Sequence, residues 1–354
     1  MPSHKTSLRE IGEFGLIRKI QDAFPSVDPS VLIGIGDDAA VVSPSRGKIL
    51  LMTTDTLKEG IHFSSSFKDP YSVGWKALAV SLSDIAAMGG IPRFLLLSLS
   101  LPRNFPLEQI DLLLQGIRKI LLPHHLSLIG GNISGSAKGL GVDTVLIGEV
   151  EPGRLLRRSG ASLDDLIYVT GTLGDAAAGL ELLRKGAGPT LSAPRSQALN
   201  SRFIRHLTER HLRPVPRLKE GRFLSLHRLA TAAIDISDGL LQDLSHICSQ
   251  SRVGARIDGR SIPLSSALRK TAPRLRKSPL IYALSGGEDY EILFTVKPKN
   301  ASKLETLARK ERFEVTRIGK VVHEKEGIAV IDLMGKSRKA TPKGFDHFRA
   351  SGRR

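Results

Sequence analysis

The chain predicts an α/β (α+β) protein of two domains. Its 354 residues are roughly twice the usual size of one domain. Apolar runs of strand character alternate with segments of helical apolar spacing. A break at Pro152-Gly153, followed by arginines, separates the first such unit from a second. The expected domains are residues 1–151 and 152–354.

Glu13 to Phe24 carries Phe14, Ile17, Ile20 and Phe24 at helical spacing and predicts a short helix. Val31 to Ile35 and Ala39 to Val42 read as strands around a Gly36-Asp37-Asp38 turn, and Ile49 to Thr54 is an apolar run ending in hydroxyls. Tyr71 to Met88 is apolar on more than one face and stops at Gly89-Gly90, so it predicts a buried helix. Asp84 within it requires a partner, because a buried unpaired charge costs several kcal/mol. Arg93 to Leu101 predicts a strand, Leu107 to Leu122 an amphipathic helix, Leu126 to Ile129 a strand running into Gly130-Gly131, and Asp143 to Glu149 the strand that closes the unit.

The second unit opens with a strand, Leu166 to Thr170, a Gly171-Thr172-Leu173-Gly174 turn and a helix, Asp175 to Leu183. A loop rich in Gly, Pro and Ser around Lys185 to Pro194 leads to a helix at Gln197 to Arg210. Further strands are expected at Ala232 to Ile236, Ile281 to Leu284 and Glu291 to Val296, with a helix from Asp238.

Lys and Arg number 52 against 35 Asp and Glu, a formal net charge of +17. Against that background, Asp37-Asp38, Thr53-Thr54-Asp55, Ser83-Asp84 and Asp235-Ile236-Ser237-Asp238 stand where apolar segments end, beside glycine or hydroxyl residues. Each alone is a turn, a strand end or a helix cap. Together they suit one acidic pocket for hard cations, and oxygen-rich sets of this kind suit magnesium shared with substrate phosphates.

Several function classes are disfavoured. Basic residues are scattered and aromatics form only 5% of the chain, which argues against nucleic-acid binding. The single cysteine, Cys248, excludes an intrachain disulfide and argues against a structural zinc cluster. Neither a signal-peptide core nor a membrane-length apolar run is present, so a cytoplasmic protein without membrane contact is expected. Gly34-Ile35-Gly36-Asp37-Asp38-Ala39 matches the dinucleotide fingerprint in form but leads into a strand instead of a helix. Gly335-Lys336-Ser337 has the ending of a Walker A loop without its upstream glycine, since Val330 stands there.

The ordered set of motifs resembles the thiamine-monophosphate kinase family over almost the whole length. The matching stretches include Gly12-Glu13-Phe14-Gly15, Gly34-Ile35-Gly36-Asp37-Asp38, Thr54-Asp55-Thr56-Leu57 with His62, Arg158-Ser159-Gly160 and His211-Leu212-Arg213-Pro214. They continue through Asp235-Ile236-Ser237-Asp238-Gly239, Gly286-Gly287-Glu288-Asp289-Tyr290-Glu291 and Lys343-Gly344-Phe345-Asp346. The resemblance implies a two-domain fold of the aminoimidazole ribonucleotide synthetase superfamily, a homodimer formed through the amino-terminal sheet, and transfer of the γ-phosphoryl group of ATP to thiamine monophosphate. It implies magnesium ions held by Asp37, Asp38, Thr53, Thr54, Asp55, Asp84, Asp235 and Asp238. ATP contacts are implied at Gly131, Asn132, Arg158 and Ser237, and substrate contacts at His62, Glu288 and Phe345.

These residue types suit the chemistry. The nucleophile, a phosphate oxygen, is already ionised, so no general base is needed. Repulsion is the obstacle: two like charges about 4 Å apart cost roughly 4 kcal/mol at an effective dielectric near 20. Magnesium and an arginine fork such as Arg158 offset it. One position departs from the family pattern: where Gly-Gly-Asp is expected, this chain has Gly130-Gly131-Asn132, a neutral oxygen in place of a charged one. The competing readings are a non-catalytic polyanion-binding relative of the same fold, or another ATP-dependent enzyme of the superfamily. Cys248 is misplaced for a selenophosphate synthetase, and the arginine ending is wrong for a hydrogenase-maturation protein.

Overall fold

The computed structural model describes residues 8–25, 28–64, 69–186 and 201–341. It divides into two units, Met1–Ile85 with Gly90–Gly153, and Ala86–Gly89 with Arg154–Arg354.

The first unit comprises α1 (Leu8–Ala23), β1 (Val31–Ile33), β2 (Val41–Val42), β3 (Ile49–Lys58), α2 (Pro70–Ala87), β4 (Ile91–Pro102), α3 (Leu107–Leu121), β5 (Ser127–Ser136) and β6 (Gly141–Val150). Its four-stranded sheet has the order β3-β6-β4-β5. β6 runs antiparallel to both β3 and β4, and β5 is parallel to β4. That parallel pair needs a crossover, which α3 supplies. Helices α2 and α3 approach closely through two glycines. A Cβ on Gly74 would lie 2.0 Å from the Leu113 carbonyl oxygen, and one on Gly116 would lie 1.9 Å from that of Tyr71.

Strand periodicity divides the sheet into two faces. Leu51 and Leu57 of β3 are buried, whereas Leu50, Met52 and Val145 are exposed on the other face. On α1 Leu16 and Ile20 are buried, as is Phe24 just after it; Phe14 is exposed, and non-helical backbone at Gly12 (φ 63°) interrupts the helix just before it. The two strands expected around Gly36 shorten to Val31–Ile33 and Val41–Val42. At Gly130-Gly131, β5 continues as strand.

The second unit comprises β7 (Leu166–Thr170), α4 (Asp175–Arg184), α5 (Ser201–Leu212), α6 (Leu218–Leu226), β8 (Ala230–Asp235), α7 (Leu240–Ser251), β9 (Val253–Asp258), α8 (Ser266–Thr271), α9 (Pro279–Ser285), β10 (Ile292–Val296), α10 (Ala301–Lys310), β11 (Val315–His323), β12 (Ile328–Ile331) and β13 (Ser337–Lys339). Its seven-stranded sheet has the order β13-β12-β9-β11-β7-β10-β8 and is antiparallel except between β12 and β9. The central strands β7 and β10 are buried throughout. On one side Ile167, Val169, Ile234 and Leu293 pack with Leu240, Leu244 and Ile247 of α7. Another core joins Ala178 and Leu182 of α4 to Ile204 and Leu207 of α5 and to Ala267 and Leu268 of α8.

One expected strand is a helix. Ile281 to Leu284 lies inside α9, where Ser278 accepts a hydrogen bond from the Leu280 amide (3.3 Å) and Pro279 stands at the first helical position. Both are helix-starting signals that outweigh a short apolar run. No helix among the described residues is long and apolar enough to cross a membrane.

Candidate active site

In the first unit the acidic group is assembled by β3 and α2. Alternation along β3 turns Thr53 and Asp55 toward the helix face and leaves Thr54 exposed on the other. On α2, Ser81 and Asp84 share a face by their i, i+3 spacing. The Thr53 hydroxyl donates to Asp84 Oδ2, and the Ser81 hydroxyl donates to Asp55 Oδ2 at 2.7 Å. Asp84 thus has the partner that its place on a buried helix requires. Burial pushes the Asp55 carboxyl up to about 6; the Ser81 hydrogen bond works against this and the nearby Asp84 charge adds to it. Two carboxylates and a threonine hydroxyl therefore stand where a cation would relieve repulsion.

The opposite face carries a polar row in register: Thr56 pairs with Asp143, Asp143 with Ser98, and Ser98 with Asn132. Thr56 donates to Asp143 Oδ1 at 2.5 Å. Asn132 is exposed. Gly131 is required by crowding, since a Cβ there would lie 1.8 Å from the Leu97 carbonyl oxygen. Asp37 and Asp38 are exposed in the loop between β1 and β2, where the Asp38 amide donates to Asp37 Oδ1 at 2.8 Å. Gln21 fastens that loop to α1 by donating to the Ile35 carbonyl oxygen at 3.1 Å. His62, half-buried after β3, accepts from the Lys58 amide through Nδ1 at 3.0 Å. In the neutral ring this places the proton on Nε2.

In the second unit, Asp235 ends β8 and Asp238 precedes α7. Asp235 is 3% exposed, while Ser237 and Asp238 are half-buried. Gly239 (φ 117°) makes the bend between strand and helix. Sequence reasoning missed two neighbours, Asp243 and His246. Asp243 Oδ2 accepts the amides of Asp238 (3.1 Å) and Gly239 (3.0 Å). Burial pushes its carboxyl up to about 8, and the charges of Asp235 and Asp238 add to this. Asp238, Asp243 and His246 offer ligand atoms within 4.8 Å of one another. Their signal in the sequence is the i, i+3 placement of Asp243 and His246 on one face of α7.

Glu288 joins this group through the backbone, its amide donating to the Ser237 carbonyl oxygen at 2.8 Å. Gly287 allows the approach, because a Cβ there would lie 2.4 Å from that same oxygen. Asp289 caps α4, accepting the amides of Gly174 (2.6 Å) and Ala176 (3.2 Å), and burial pushes its carboxyl up to about 8. Glu291, fully buried, is bound by Arg210 (2.8 Å), Arg217 Nε (2.6 Å) and Thr170 (2.6 Å). Arg158 is exposed on the segment that leads into this unit. Phe345 lies outside the described residues.

Comparison with known proteins gives a consistent result. The family described as AIR synthase related protein, N-terminal domain, matches residues 36–150, and its C-terminal counterpart matches residues 164–332. The thiamine-monophosphate kinase of Aquifex aeolicus (strain VF5) is 39% identical over 345 residues, covering 96% of this chain and 99% of the relative. That of Escherichia coli (strain K12) is 40% identical over 338 residues, covering 95% and 98%. Among solved structures, thiamine-monophosphate kinase from Stenotrophomonas maltophilia K279a superposes with a TM-score of 0.79 at 38% identity, covering 90% of this chain and 96% of that one. AaThiL complexed with AMPPCP and TMP superposes with a TM-score of 0.72 at 37% identity, covering 98% and 100%.

Proposed function

The chain belongs to the thiamine-monophosphate kinase family, and we propose that it phosphorylates thiamine monophosphate with ATP, yielding thiamine diphosphate and ADP. A phosphate oxygen of thiamine monophosphate forms the new bond to the γ-phosphorus of ATP. The bond between that phosphorus and the β,γ-bridging oxygen breaks, and the oxygen leaves on ADP. The attacking oxygen is ionised near neutral pH, so none of the side chains has to remove a proton.

The observation that carries this reading is the Thr53–Asp84 and Ser81–Asp55 arrangement, a set of hard oxygen donors around two carboxylates, of which Asp55 resists ionisation when left alone. Such donors fit magnesium; the Asp55 and Asp243 carboxyls are raised chiefly by burial and further by neighbouring carboxylates, and a bound cation would favour their charged forms. Asp37, Asp38, Thr53, Asp55 and Asp84 in the first unit, with Thr54 on the other face of β3, and Asp235 and Asp238 in the second, would hold the ions. Bound magnesium would neutralise the phosphates and favour in-line displacement. The chain's own groups do the rest. Gly131 lets a phosphate approach bare backbone, Asn132 offers a neutral amide, and Arg158 and Ser237 offer donors to the nucleotide. His62, Glu288 and Phe345 are assigned to thiamine monophosphate.

Residues 1–151 are assigned chiefly the magnesium and ATP role and dimerisation, and residues 152–354 chiefly the substrate role, with Arg158, Asp235, Ser237 and Asp238 in the second range and His62 in the first. The exposed Leu50, Met52 and Val145 on the open sheet face support a homodimer formed through that face. The reaction is placed in the cytoplasm. The test is ADP formation from ATP and magnesium with and without thiamine monophosphate. The proposal expects ADP to depend on thiamine monophosphate and to match thiamine diphosphate formed; ADP release that ignores it contradicts the proposal.

A further inference from the structure

The segment Glu288–Glu291 is held at every residue. Glu288 and Tyr290 both have positive φ, 67° and 52°, a conformation that L side chains adopt only under constraint. The constraints come from two directions. The amides of Glu288 and Tyr290 donate to the carbonyl oxygens of Ser237 and Ile236, at 2.8 and 2.9 Å. From the end of α5, Arg210 donates to the Asp289 carbonyl oxygen at 3.2 Å and to Glu291 at 2.8 Å. The next residue, His211, places Nδ1 3.0 Å from Glu288 Oε2, an ion-pair distance without hydrogen-bond geometry. His211 is 2% exposed, although its partner carboxylate is partly open. The helix that carries it is fixed by close packing, for a Cβ on Gly179 of α4 would lie 2.0 Å from the Leu207 carbonyl oxygen.

We propose that His211 is a positioning residue that holds the Glu288 carboxylate in the orientation that binds the cationic, thiazolium-bearing end of the substrate. The inference rests on the function proposed above. A carboxylate repels a phosphate, so the complementary part of thiamine monophosphate is its cationic and amino-bearing rings. An imidazole suits this positioning role because it is short, has two side-chain torsions, and sits on a helix whose packing leaves it little room to move. Arg210 cannot replace it, since its guanidinium is committed to Glu291 and the Asp289 carbonyl.

The test is steady-state kinetics of His211→Leu, which keeps bulk but removes the ring nitrogen, beside His211→Asn, whose amide reaches the Nδ1 position. His211→Leu is expected to raise KM for thiamine monophosphate about fivefold, the scale of one lost ion-pair contact, with kcat and KM for ATP changed less than about twofold. His211→Asn is expected to restore KM to within about twofold, and Glu288→Gln to reproduce the H211L defect without adding to it in the double variant. Should H211L not fold, His211→Met takes its place, because that flexible chain fills irregular gaps. An unchanged KM for thiamine monophosphate, or equal losses toward both substrates, overturns the proposal while leaving the kinase reading intact. A wild-type chain that makes no thiamine diphosphate overturns the kinase reading, and this inference with it.

Discussion

The Ser81 hydroxyl donates to Asp55 Oδ2 across 2.7 Å, joining α2 to β3 at the point where the first unit gathers its carboxylates. With its own proton on Asp55, Ser81 accepts from the Thr144 hydroxyl at 2.8 Å. Asp55 is therefore oriented by a buried chain of hydroxyls, and its setting depends on residues that need not touch a ligand.

Ser81→Ala removes that anchor without changing a proposed ligand. The magnesium concentration giving half-maximal rate is expected to rise about tenfold, the scale of losses when a ligand's supporting hydrogen bond is removed. A magnesium titration of the initial rate checks this, and an unchanged midpoint would show that Asp55 is oriented without Ser81.

Asn132→Asp supplies the charge that this chain lacks. Asn132 stands two strands from Asp143 in one register row, about 10 Å apart by strand spacing. The added carboxylate therefore meets little direct repulsion. The substitution is expected to lower the magnesium requirement about threefold or more, on the scale of one added ion pair. If neither the rate nor its magnesium dependence changes, residue 132 is not a ligand position.

Gly131→Ala tests the close approach of β5 to β4. The added methyl would lie 1.8 Å from the Leu97 carbonyl oxygen, so the strands must part. Destabilisation of about 2 kcal/mol is expected, seen as a lower midpoint of thermal unfolding. A midpoint equal to that of the wild type would mean that the pair relaxes freely.

Asp289 gives a pH signature. Burial pushes its carboxyl up to about 8, against an ordinary value of 3.8, while the Arg210 charge and the amides of Gly174 and Ala176 act the other way. The folded protein then binds a proton that the unfolded chain has released. The stability contributed by this group is complete below about pH 4 and is lost as pH rises to about 8. Asp289→Asn cannot ionise and lacks this slope. Unfolding free energies measured at about pH 5 and pH 8 should show the wild type losing ground to D289N at the higher pH; a constant difference would mean that Asp289 is ionised throughout.

Much of the first unit was legible because its signals are local. Tyr71 to Met88 announced a buried helix with a carboxylate that needed a partner, and that partner is Thr53, 31 residues away. The strand end at Asp235 was equally plain, whereas β3 runs past the expected Thr54 end to Lys58. Ile281 to Leu284 misled, because a four-residue apolar run has no period to read and the Ser278-Pro279 start outweighs it. The grip of Arg210 and Arg217 on Glu291 could not be read, since those pairs span 81 and 74 residues and only the folded sheet brings them together. Strand β9, Val-Gly-Ala-Arg-Ile-Asp, escaped notice for a different reason. Its glycine and charged residues dilute the alternation, although Ala255 and Ile257 are fully buried.

The decisive measurement follows the γ-phosphoryl group itself. With ATP labelled at the γ-phosphate, magnesium and thiamine monophosphate, label should appear in thiamine diphosphate in a one-to-one ratio with ADP. Label recovered as inorganic phosphate, with thiamine monophosphate left unchanged, would contradict direct transfer and remove the kinase reading.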